Sequence, residues 1–231
     1  MRPSHQIEKD EFGGFQENNY LCTADTTHVE RAAEGNGAWG RRKNKTRKKI
    51  MGFYTSEIMT GAPAEFKTET QKMIYERLEK DGTEYTRIES DPGISMDDCL
   101  NIDRAFGIDT VKTILLTNRQ KNKFWLYVTH ARKPFITKEF GASLQIPRVS
   151  FADEELMMNI LGTAHGAATP FGLMRDEAKD VTFVMDRDVA SRERIVITDG
   201  DPCGFIAIRN RDLFRLIGKE PLLIENPAPC E

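Results

Sequence analysis

The chain has 231 residues, 39% hydrophobic and 30% charged, which suits one globular domain with chain to spare rather than two full domains. No apolar run approaches the roughly 20 residues of a membrane span, and Cys22, Cys99, Cys203 and Cys230 are spaced for neither a zinc site nor a disulfide framework, so a cytoplasmic protein with no metal, cofactor or membrane partner is expected. The net charge of −3 is unevenly shared: residues 1–50 carry 10 Lys and Arg against 7 Asp and Glu and residues 51–231 carry 23 against 29, so the acidic body argues against a long phosphate-binding groove while leaving room to grip one end of an RNA.

Residues 1–60 show no sustained period of 2 or 3.6, are rich in Gly, Asn and Thr, and hold the basic run Arg41 to Lys49. They read as a disordered extension, with a nucleic-acid or targeting tail as the functional alternative. A third possibility is a start at Met51, since Arg47-Lys48-Lys49-Ile50 can be encoded by purine-rich codons resembling a bacterial ribosome-binding site. Residues 62–225 then form the domain. Phe66, Met73, Ile74 and Leu78 predict a helix from Ala64 to Asp81-Gly82, Tyr85 to Glu89 a short strand, and Ser95 a cap for a helix through Phe106. Val111 to Thr117 and Lys123 to Thr129 make the clearest hairpin. Thr137 is expected to cap a helix through Leu144, and Asp153 one through Leu161, with Val149 to Phe151 a strand between them. Val181 to Met185, Arg194 to Thr198 and Phe205 to Ile208 read as strands and Asp212 to Ile217 as the last helix, before an extended tail over 225–229. Without a regular βαβ repeat, this mixture predicts a single compact α/β domain with a mixed sheet and packed helices.

The stretch from Leu161 to Asp176 stands apart. Three glycines and Pro170 interrupt it, and every side chain from Gly162 to Thr169 except His165 is small, so a ligand can approach the main chain closely. It is either such a cradle or a tight connection with no ligand. Lys112, at the start of a strand and beside an apolar run, either reaches solvent or is a cation aimed into a pocket. His165 is either an exposed loop side chain or an imidazole for the site. No Gly-x-Ser-x-Gly, paired histidines or Cys/His couple offers a competing chemistry.

Val111-Lys112-Thr113, Asn118-Arg119-Gln120-Lys121, Ser150-Phe151-Ala152-Asp153 and Gly166 to Met174 together resemble the YbaK/EbsC family of aminoacyl-tRNA deacylase domains, in its free-standing prolyl-tRNA-synthetase-associated branch. The likeness covers about residues 70 to 225 and implies a YbaK-like fold. It also implies hydrolysis of the ester joining a wrongly attached small amino acid to a tRNA 3′ end, most plausibly alanyl-tRNA(Pro), with prolyl-tRNA synthetase as a further partner. By the same resemblance Lys112 holds the acylated end, while Gly166, Ala167, Ala168, Thr169 and Pro170 wrap the aminoacyl group and the attacking water is placed by backbone and substrate groups. Thr113, Asp201 and His165 complete the expected substrate site. The chain departs from the branch at Ser90 and at Asp201-Pro202, where histidines are expected, and at Thr113, where Asn is common. These departures keep a second reading open, a catalytically inactive adaptor that binds an aminoacyl or prolyl ligand or a synthetase.

Overall fold

The computed structural model describes residues 53–92 and 96–225. The basic run at 41–49, the start at Met51, the cap at Ser95 and the tail beyond Glu225 lie outside the described residues. Along the chain come α1 (Glu69–Lys80), β1 (Tyr85–Glu89), α2 (Met96–Phe106), β2 (Val111–Asn118), β3 (Phe124–His130), α3 (Thr137–Leu144), β4 (Val149–Phe151) and α4 (Glu154–Leu161). Two 3₁₀ turns, Pro170–Met174 and Asp176–Ala178, lead to β5 (Thr182–Asp186), α5 (Arg187–Ala190), β6 (Arg194–Thr198), β7 (Gly204–Arg209), α6 (Asn210–Ile217) and β8 (Leu222–Ile224).

The mixed sheet predicted from the sequence is present, beside a second, smaller sheet. Five strands run in the order β4-β2-β3-β5-β8, with β2 antiparallel to β3 and β4, and β5 parallel to β3 and β8; three antiparallel strands run β1-β7-β6. A parallel bridge between Thr110 and Val196 brings the start of β2 alongside β6 and joins the two sheets. Both sheets are covered on both faces, so their strands are nearly continuous apolar runs whose residues alternate between cores. Leu115, Leu126, Val128, Ile195, Ile197, Ile206 and Ile208 enter a large core with Ile74, Leu78, Leu161 and Phe171. Ile114, Leu116, Trp125 and Tyr127 turn the other way, towards Phe140 of α3, and Val196, Phe205 and Ala207 meet Ile102 of α2. Each fully buried aliphatic or aromatic side chain contributes about 1.5–3 kcal/mol of transfer free energy.

Several boundaries differ from the sequence expectation. The first helix begins at Glu69 rather than Ala64, because Thr68 is extended and its hydroxyl accepts a hydrogen bond from the N–H of Gln71. Phe66 therefore precedes the helix and stacks on Tyr75, ring centroids 6.0 Å apart. Thr137 is the first residue of α3 and not its cap; Ile136 holds that place with no side-chain bond. Residues 53–60, expected to be disordered, run beside β1: Ser56 N donates to Glu89 O at 2.7 Å and Met59 N to Arg87 O at 2.8 Å. The folded body thus starts before residue 62, since pairing an open sheet edge needs main chain rather than an apolar period. The short strand β8 was not expected at all, for three apolar residues carry no readable period. Among the described residues no helix is long and apolar enough to cross a membrane.

Candidate functional site

The loop of small residues hangs between two fixed points. Asp153 caps α4 by accepting from Leu156 N at 3.0 Å, and Gly162 ends that helix in the left-handed conformation at φ 67°. A Cβ there would lie 2.4 Å from the Thr70 hydroxyl, which donates to the Gly162 carbonyl at 2.7 Å. Glycine is thus required both by the turn and by the close approach of α1. At the far end Pro170 opens the 3₁₀ turn and holds Thr169 extended (φ −141°, ψ 144°), while Phe171 is wholly buried in the large core. Between these points Ala167 N donates to Ala164 O at 3.1 Å, closing a turn around His165 and Gly166, whose φ is 81°.

The end of β6 grips this loop. The Thr198 hydroxyl lies 3.0 Å from the Ala167 carbonyl and 3.2 Å from that of Ala168, and the Thr169 hydroxyl donates to the Thr198 carbonyl at 2.7 Å. Two threonines therefore lock loop and strand reciprocally, with neutral groups only. Sequence reading passed over Thr198 as an ordinary strand residue; a threonine ending an apolar strand is the faint signal it offered.

Beyond Thr198 a buried polar knot supports the turn from β6 to β7. Asp199 accepts from Gln71 Nε2 at 2.9 Å, from Tyr75 OH at 2.8 Å and from Asp201 N at 3.1 Å. Burial pushes the Asp199 carboxyl above the usual aspartate range despite these donors, and burial likewise raises the Tyr75 phenol. A Cβ on Gly204 would fall 2.3 Å from the Asp199 carboxylate, so a larger residue there would have to displace that hydrogen-bonded group. Asp201 is buried and accepts from Lys67 Nζ at 3.0 Å and from Cys203 N at 2.9 Å. Burial pulls the Lys67 ammonium down, but the bond and charge of Asp201 outweigh it and hold it above the usual lysine value. Ser90 N donates to Cys203 O at 2.9 Å, so two of the family departures, at Ser90 and at Asp201-Pro202, meet in space.

Lys112 belongs to a different neighbourhood. It pairs across the hairpin with Thr129, and its ammonium donates to the carbonyl of Lys133. The Thr129 hydroxyl donates to Asp186 Oδ2 at 2.7 Å, and Lys133 Nζ sits 3.3 Å from Asp186 and 2.8 Å from Asp188. Burial opposes the charge on Lys133, yet its two aspartates hold the ammonium above the usual range. The pleat sets Lys112 on the Ile114 side of β2 and the half-buried Thr113 on the side of Val111 and Leu115, where Ala168 and Phe171 also pack. The structure thus brings Gly166, Ala167, Ala168, Thr169 and Pro170 together, with Thr113 towards them. Asp201 lies three residues past Thr198, at the other end of the turn, and His165 is exposed at the loop tip. Lys112 is linked to the loop through the Thr110–Val196 bridge, two residues before both Lys112 and Thr198.

Residues 99–216 match the aminoacyl-tRNA editing domain family. The chain is 23% identical over 149 residues to the prolyl-tRNA editing protein ProX of Acetoanaerobium sticklandii, covering 64% of this chain and 91% of that protein. To prolyl-tRNA synthetase associated domain-containing protein 1 of Danio rerio it is 27% identical over 130 residues, 56% of this chain and 70% of the relative. A solved structure described as a candidate trans-editing enzyme for prolyl tRNA synthetase superposes with a TM-score of 0.54 at 14% identity, over 69% of this chain and 98% of that one, which speaks for the fold.

Proposed function

The chain belongs to the aminoacyl-tRNA editing domain family, and from that premise we propose that it is a trans-editing deacylase acting on a tRNA mischarged with a small amino acid, with alanyl-tRNA(Pro) as its substrate. The observation that carries this reading is the loop from Gly166 to Pro170, a run of main chain with almost no side-chain bulk, held in one shape from both ends. Small side chains at Ala167 and Ala168 leave space for a compact aminoacyl group and let peptide groups come within bonding distance of its polar atoms. Water adds to the ester carbonyl, the bond to the ribose oxygen breaks, and free amino acid and uncharged tRNA leave; peptide donors stabilise the negative charge that develops on the carbonyl oxygen. Lys112 serves as the point cation for the acylated 3′ end, a role suited to an ammonium on a firmly held strand. A second site of this kind has a clear use, because a hydrophobic pocket separates substrates differing by one methylene by only about 1–3 kcal/mol.

One observation favours the second reading, an adaptor without hydrolysis: the Lys112 ammonium is engaged by the Lys133 carbonyl, on the face of β2 away from the loop residues. Incubating the protein with alanyl-tRNA(Pro), prolyl-tRNA(Pro) and a panel of other charged tRNAs separates the two. Fast release of alanine with prolyl-tRNA(Pro) spared is expected. Binding of charged tRNA or of prolyl-tRNA synthetase without release of any amino acid would replace the deacylase with the adaptor.

A further inference from the structure

The carbonyls of Ala167 and Ala168 both point at the Thr198 hydroxyl. In a trans peptide the N–H lies opposite the C=O, so the N–H groups of Ala168 and Thr169, which share those peptide units, are turned away from β6. Among the described residues neither of these two N–H groups makes a hydrogen bond, although Thr169 is fully buried and Ala168 half-buried. Thr169 has no exposed surface, so of the two donors only the half-buried Ala168 N–H can be reached by an oxygen atom carrying negative charge.

Resting on the deacylase reading above, we propose that Thr198 is a positioning residue that aims the Ala168 N–H group at the ester carbonyl oxygen of the substrate. Its single hydroxyl proton is shared between two carbonyls, so one side chain sets the orientation of two consecutive peptide planes. The Thr169 hydroxyl returns the bond to the Thr198 carbonyl and fixes loop height over the strand. The two peptides cannot rotate without breaking the clamp, and rotation would carry the Ala168 donor away from the oxygen. No ionisable group takes part, so the aim of the donor does not change with pH.

Thr198→Val removes the hydroxyl and keeps the shape, whereas Thr198→Ser keeps the hydroxyl. In single-turnover hydrolysis of alanyl-tRNA(Pro), Thr198→Val should lower the rate at saturation by about tenfold or more with KM within about twofold, and Thr198→Ser should stay within about threefold of the parent. A valine variant as fast as the parent, or a serine variant as slow as the valine one, would overturn the proposal. The second measurement is the ¹H–¹⁵N spectrum of the full chain titrated with 3′-alanylamino-3′-deoxyadenosine. The Ala168 amide signal should move in the parent and not in Thr198→Val, with the hairpin amides from Val111 to Thr129 reporting that the variant is folded. If the parent hydrolyses no charged tRNA but the Ala168 amide moves, the deacylase reading fails and the clamp stands. If the parent hydrolyses but this amide stays still, the clamp fails alone. A valine variant that does not fold leaves the parent's titration to decide.

Discussion

The loop seam and the charged cluster lie on either side of one strand-to-strand bridge and hold their parts in opposite ways. At the seam, hydroxyls and carbonyls of Thr169, Thr198, Ala167 and Ala168 bind one another with no charge involved. In the cluster, Lys112, Lys133, Asp186 and Asp188 come from β2, the turn after β3 and the junction of β5 with α5, and ionic groups dominate. A neutral hydrogen bond contributes about 1 kcal/mol net, so the seam is inexpensive to alter in stability and costly to alter in aim. Buried ions behave the other way round, since removing one partner strands the other in a poorly solvated place.

The largest effect on folding should come from the cluster. Asp186 is almost fully buried beneath Lys133, and Asp186→Ala should cost about 3 kcal/mol in urea unfolding, at the low end for a broken buried pair because Asp188 remains. A loss below about 1 kcal/mol would show that Asp188 alone satisfies the ammonium and that the contrast between the two regions is weaker than drawn.

Lys112→Ala tests whether the cluster also serves the reaction. Lys112 is itself half-buried, so water can take the place of its ammonium at the Lys133 carbonyl, and the fold should persist while deacylation falls by about 10²-fold, the size of one lost stabilising donor. Lys112→Arg should not fully rescue, because its planar fork directs donors differently from a point cation. Lys121→Ala, at the hairpin turn and paired with Asp153, should leave the rate unchanged. Equal rates for the Lys112 and Lys121 variants would confine the cluster to structure and put the adaptor ahead.

Gly166→Ala probes the seam from the loop side. Gly166 has a φ of 81°, so the added Cβ strains the backbone by about 1–2 kcal/mol whatever space surrounds it. Turnover of larger aminoacyl groups should fall more than that of alanine, because the relaxed loop closes on the pocket. Uniform loss across substrates, in step with the thermal midpoint, would mean that the glycine serves the turn alone.

The smallest effect separates the regions by pH. Burial would raise the Asp188 carboxyl, but Lys133 outweighs it and holds it below the ordinary aspartate range. A depressed carboxylate stabilises the fold above its unfolded value, and that contribution is lost as pH falls through the lower native one. Asp188→Asn should therefore cost less than about 1 kcal/mol at pH 7, as half-exposed pairs do, and the gap to the parent should close as pH falls below the ordinary aspartate range. The same comparison for Thr198→Val should show no change in the gap, since nothing at the seam titrates.

Much of the molecule was legible in the residues themselves. Two apolar runs joined by a polar turn located the hairpin from Val111, Asp153 and Gly162 marked both ends of α4, and the run of small residues to Pro170 picked out the loop, because apolar runs, caps and glycine conformations are properties of neighbours in the chain. Local pattern could not find the pairing of residues 53–60 with β1, or β8, where the partner strand supplies what the segment lacks. Nor could it find the threonine clamp, which joins residues about thirty apart, or the gathering of Lys112 with Lys133, Asp186 and Asp188. The pleat decided which side of β2 the lysine takes, and the Thr110–Val196 bridge decided that β6 would lie beside it. Hydrogen bonds and ion pairs between distant segments depend on where the sheets place them, and that placement is a property of the tertiary fold.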